Sequence, residues 1–87
     1  MTAAELPIRV MVHEVWDDIP LVVTPATTVR EIKQRALAAA RVVESADAFL
    51  VKFRGAELAD EARTVAQSGM PAGAPLIVLR RSRRPVH

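Results

Sequence analysis

The segment TVREIKQRALAAA, from Thr28 to Ala40, carries the one helical period in the chain. Val29, Ile32, Lys33, Ala36, Leu37 and Ala40 fall on one stripe at i, i+3, i+4 spacing. Arg30, Glu31, Gln34, Arg35 and Arg41 fall opposite. Thr28 and Glu31 have capping-box spacing, and Glu31 precedes Arg35 by four residues, the favourable order for an ion pair. The remaining apolar pattern has a period of two. Ile8, Val10 and Val12 alternate with Arg9, Met11 and His13, which predicts a half-buried strand. Glu14 to Asp18 breaks the alternation and reads as a hairpin tip, with Asp17 and Asp18 supplying turn chemistry. Ile19, Leu21 and Val23 resume it, and Pro20 marks that second strand as an edge.

Beyond the helix, Val42 to Asp47 shows no period. Phe49, Val51 and Phe53 alternate with Leu50, Lys52 and Arg54 in a third strand, and Gly55 suits a tight turn. A short strand is expected near Glu57 and Leu58, and one helical turn between Asp60 and Ser68 with Val65 buried. Leu76-Ile77-Val78-Leu79 is apolar throughout, the mark of a strand in the middle of its sheet. The order β, β, α, β, short β, β predicts an α+β domain, a mixed sheet of four to five strands over one helix. Residues 1–6 read as a flexible leader, 7–80 as the domain and 81–87 as a basic flexible tail.

Composition narrows the classes. The 87 residues suffice for one small core, and with three aromatic residues (Trp16, Phe49 and Phe53) that core must be aliphatic. The chain has no cysteine, which excludes disulfides, thiolate metal sites and thiol catalysis. MTAAELP lacks the basic and apolar regions of a signal peptide, and no apolar run approaches membrane-spanning length, so a cytoplasmic protein is expected. The net charge of +2 divides unevenly. Arg80, Arg81, Arg83 and Arg84 supply four positive charges within five residues, while residues 1–79 carry eight basic and ten acidic side chains.

Taken together, these segments resemble the ubiquitin family and its β-grasp fold over residues 8 to about 81. Thr24-Pro25-Ala26-Thr27-Thr28-Val29 resembles the family's entry into its helix, and Phe53-Arg54-Gly55-Ala56-Glu57-Leu58-Ala59-Asp60 its Phe-x-Gly-x-x-Leu-x-Asp segment. Arg63-Thr64-Val65 and the run from Gly69 to Arg80 resemble its closing elements. The resemblance implies a non-conjugating relative. Modifiers and sulfur carriers end in Gly-Gly, whereas here the last glycine, Gly73, precedes the final strand and the end reads Arg80-Arg81-Ser82-Arg83-Arg84-Pro85-Val86-His87. Lys52 replaces the central isoleucine of ubiquitin's recognition face, so receptors specific for ubiquitin are expected to pass this chain over. Similar bacterial proteins without Gly-Gly include the small accessory protein of type VII secretion systems and small subunits of multicomponent monooxygenases. Gly69 to Leu76 resembles the ending of the former, with Ala74 where an aspartate is usual.

Candidate chemistry is sparse. His13 and His87 are the only histidines, and no serine, carboxylate pair or ligand set converges by spacing, so neither catalysis, cofactor nor metal is expected. The family resemblance pairs Lys33 with Asp60 as a structural ion pair. The alternative for Lys33 is a packed stem with its ammonium in solvent. The best candidate site is an outward sheet face of Met11, Leu50, Lys52, Ile77 and Leu79 with Trp16 at its edge. It would take another protein rather than a small molecule. Nucleic acid or an anionic surface, reached through the arginine tail, is the alternative.

Overall fold

The structure, a computed structural model, describes residues 5–13 and 15–81. Its elements are β1 (Leu6–Val12), β2 (Asp17–Val23), α1 (Val29–Ala39), β3 (Phe49–Phe53), β4 (Ala56–Glu57), α2 (Val65–Ser68) and β5 (Ala74–Arg80). The sheet order is β2-β1-β5-β3-β4, with β1 and β5 parallel and the other neighbours antiparallel. The architecture is the expected α+β sheet wrapped over one helix. Leu6 pairs with Val23, so the strand begins one residue before the expected domain start.

The core follows from the two periods. Ile8, Val10 and Val12 of β1, Val51 of β3, and Leu76 and Val78 of β5 all point to one side. Val29, Ile32, Ala36 and Leu37 of α1 cover them. β5 is central as expected, yet it alternates, with Leu76 and Val78 buried and Pro75 and Ile77 exposed. Its apolar run therefore serves two faces, one closed by the helix and one open.

Thr28 caps α1 by accepting from the Glu31 amide at 3.2 Å, while the Glu31 carboxylate is turned to Arg35 at 3.7 Å. Two more first-turn amides are met from outside the helix. Val29 donates to the Arg63 carbonyl and Arg30 to the Glu61 carbonyl, each at 2.9 Å. This docks the segment before α2 on the helix N-terminus. α2 itself starts with a full capping box between Thr64 and Gln67.

At the other end of α1, Val42 N–H donates to Leu37 at 2.9 Å and Arg41 N–H to Ala38 at 3.1 Å, a Schellman closure. It holds Arg41 at φ 61, a left-handed conformation that glycine adopts without steric cost. Arg41→Gly is therefore expected to raise stability by about 1 kcal/mol, read as a higher urea midpoint with an unchanged slope. An unchanged or lower midpoint would contradict this account of the helix end.

The hairpin tip departs from expectation. Asp17 and Asp18 lie in β2, opposite Val12 and Met11, rather than in the turn. The turn needs a residue at positive φ, and Trp16 supplies it at φ 58. Asp18 instead pairs across the strands with the Arg9 guanidinium. The edge position of β2 is as Pro20 requires, and Arg35 Nη2 donates to the Val22 carbonyl at 3.1 Å. One outward donor is thus missing and one outward acceptor is occupied, which blunts the edge.

Candidate functional site

Strand register builds the open face row by row. In one row Asp18, Met11, Ile77, Lys52 and Glu57 follow one another from β2 to β4. In the next, Leu79 stands beside Leu50. His13 extends β1 past its last ladder pair, donating its amide to Val78 at 2.8 Å, and so lies beside Leu79. Trp16 completes that row, its ring 4.4 Å from the His13 ring and tilted 59° to it. All six expected face residues are therefore brought onto one surface. Trp16 is 70 % exposed, Ile77 41 % and Met11 36 %, while Leu50, Lys52 and Leu79 are half-buried.

A shallow groove of about 450 Å³ runs along the β1–β5 seam of this face. Met11, Pro75 and Ile77 line it, and the Arg9–Asp18 pair forms its rim. The surface is thus an apolar strip flanked by the Arg9–Asp18 pair at β1 and β2 and by Lys52 beside Glu57 at β3 and β4. His13, Arg9 and Asp18 also belong to this face, beyond the six expected residues. The alternation that put Arg9, Met11 and His13 on one side of β1 was the available signal.

On the buried side, Lys33 is 1 % exposed, and its ammonium is inside rather than in solvent. Its partner is Glu61, not Asp60. Nζ lies 2.8 Å from each Glu61 carboxylate oxygen and donates to the Phe49 carbonyl at 3.0 Å. The ammonium thus donates to Glu61 Oε2 and to the Phe49 carbonyl, with Glu61 Oε1 completing the ion pair. Asp60 faces outward, where Oδ1 accepts from the Ala62 amide at 3.2 Å as a local turn. That turn, with the Glu61 carbonyl fixed to α1, swings the next carboxylate inward. Among the described residues no buried side-chain polar atom lacks a partner.

The start of the arginine cluster belongs to the domain. Arg80 grips the Glu44 carboxylate with both terminal nitrogens and lies over the Phe49 ring at 5.1 Å. Arg81 donates its backbone N–H to Ala48 at 2.8 Å and its Nε to the Asp47 carbonyl at 3.0 Å, with Glu57 at 3.6 Å and Glu61 at 3.8 Å. Arg81 was expected to open a flexible tail, but these acceptors tie it down. Arg83 and Arg84 lie outside the described residues.

The hydrogen bond from Arg80, with its charge as a smaller contribution, holds the Glu44 carboxyl below its ordinary value of 4.5. A carboxylate lowered on folding stabilises the fold above the unfolded value and loses that contribution as pH falls through the folded one. Glu44→Gln is therefore expected to be less stable than the parent near neutral pH, with the difference vanishing in acid. Urea midpoints measured down a pH series check this, and a gap that persists below the carboxylate range would refute it.

Among the described residues no three His, Asp or Glu side chains are grouped to hold a metal ion. No helix among them is long and apolar enough to cross a membrane. The fold is the ubiquitin-like β-grasp, and solved structures of that class superpose over nearly the whole chain. Ubiquitin from Caldiarchaeum subterraneum matches with TM-score 0.78 at 17 % identity, covering 94 % of this chain and 100 % of the other. A ubiquitin-like domain of an Arabidopsis thaliana protein matches with TM-score 0.75 at 17 % identity, covering 95 % and 84 %. A de novo design based on ubiquitin matches with TM-score 0.77 at 20 % identity, covering 95 % and 96 %. No protein-family model and no curated protein sequence matches the chain.

Proposed function

We propose that this chain is a non-catalytic, cytoplasmic protein-interaction module that engages another protein through its open sheet face. The observation that carries the reading is the continuity of that face, Met11 and Ile77 beside Leu79 and Leu50, with exposed Trp16 at its end. Exposed aromatic and aliphatic side chains gathered on one surface favour association, because covering them removes apolar area from water. Within this reading, the likeness of Gly69 to Leu76 to the type VII accessory ending makes an accessory subunit of such a system the specific assignment to test. A small monooxygenase subunit is its competitor. A role in nucleic-acid binding through the arginines has less support, since Arg80 and Arg81 face Glu44, Glu57 and Glu61.

Site-specific photo-cross-linking in the native host tests the reading. A cross-linking side chain at position 77 is expected to trap a different protein, and one at position 38 on the exposed helix side is not. Equal adducts at both positions, or none at position 77, would overturn it.

A further inference from the structure

Just past β5 the chain is held by charge as well as by the sheet. Arg81 Nη2 lies 3.8 Å from Glu61 Oε2, the oxygen that accepts from Lys33 Nζ at 2.8 Å. Arg81 Nη1 lies 3.6 Å from Glu57 Oε2. Lys33, Glu61, Arg81 and Glu57 thus form one series of alternating sign. It starts in the core, where Lys33 and Glu61 are buried, and ends at the surface, where Arg81 and Glu57 are exposed. Arg81 is placed there by its backbone N–H on the Ala48 carbonyl and its Nε on the Asp47 carbonyl. Beneath it, residues 57–63 join the rest of the domain through a few backbone bonds. Leu58 donates to the Val51 carbonyl at 2.8 Å, and the Glu61 and Arg63 carbonyls accept from Arg30 and Val29.

We propose that Arg81 is a strap. It pins residues 57–63 over the Lys33–Glu61 pair, and its release lets that segment lift from the first turn of α1 as one unit while the sheet stays closed. Removing one partner from the closed structure strands a buried charge, which is costly. Lifting the segment instead lets water reach both charges, so neither is stranded. The strands have no such compensation, because opening them exposes the apolar core. The segment is therefore the part of the fold that opens at the lowest cost. The strap also gives the arginines a role inside the molecule. An anionic group that takes hold of Arg81 competes with Glu57 and Glu61, and so loosens the start of the helix from the far end of the chain. This coupling is independent of which surface meets a partner protein.

Native-state hydrogen exchange on the full chain, followed amide by amide across low urea concentrations, tests the proposal. The amides of Val29, Arg30, Leu58 and Arg81 are expected to exchange through one common opening. Its urea dependence is expected to be weaker than that of the ladder amides between β1 and β5, since less surface is exposed. Arg81→Gln keeps the side-chain length nearly unchanged and removes the charge. It is expected to raise that opening about threefold or more, by the same factor for every one of these amides. Unchanged circular dichroism confirms that the variant is folded, and the parent series tests the common opening without any variant. Amides that exchange only together with the β1–β5 ladder would overturn the proposal. So would separate openings for the helix start and for Leu58, or a common opening that Arg81→Gln leaves unchanged.

Discussion

Lys33→Met is expected to cost about 3–5 kcal/mol, a large share of the roughly 5–10 kcal/mol that holds a domain of this size. The loss comes less from the missing attraction than from what is left behind. Glu61 is 8 % exposed and would keep a carboxylate facing an apolar thioether, with Arg81 at 3.8 Å as its remaining cation. The Phe49 carbonyl would lose the donor now 3.0 Å away. Pairing Lys33→Met with Glu61→Leu removes both charges and is expected to recover most of the stability, since apolar groups of similar volume often replace a buried pair at little cost. Urea unfolding of the two singles and the double measures the coupling directly. Additive losses would mean that the two residues do not act as a pair.

The second large effect is on binding. Ile77→Asp is expected to weaken partner capture by about 100-fold or more, because it deletes a central apolar contact and buries a carboxylate in its place. The fold itself is expected to lose only about 1 kcal/mol. Ile77 is on the open side of β5, and an aspartate there stands beside Lys52. Trp16→Ala is expected to act in the same direction through loss of the exposed ring. Titrating cross-linked adduct against thermal stability separates the two effects. Capture that falls only in proportion to unfolding, or does not fall, would remove this face as the binding surface.

Much of the fold is legible in the sequence because it rests on periodicity. Val29, Ile32, Ala36 and Leu37 can share a surface only on a helix, and Ile8, Val10 and Val12 only on a strand. The open face follows by subtraction, since whatever alternates with the core must line the other side. What escapes is set by single backbone choices. Asp17 and Asp18 have the composition of a turn, yet the register with Val12 and Met11 takes them into β2 and leaves the left-handed position to Trp16. Asp60 and Glu61 are adjacent carboxylates, and only the local turn that occupies Asp60 decides which of them reaches Lys33. The capping box at Thr64 and Gln67 is written in the sequence at the proper spacing, but the helix it opens is too short to show a period. Arg80 and Arg81 look like a tail because nothing local announces Glu44 or Asp47, which lie more than thirty residues earlier.

The position of β5 has a consequence for synthesis. Among the described strands the last in sequence, β5, lies between β1 and β3, so it joins two hairpins that otherwise share no sheet contact. Until the ribosome has released residues near 80, the chain holds β1–β2 and β3–β4 as separate pieces, each too small to persist alone. Folding therefore waits until β5 has left the ribosome and is then completed as one cooperative event. A product cut short before residue 74 would lack the member that unites the halves and would stand open to proteolysis, so the topology itself acts as a check on completeness.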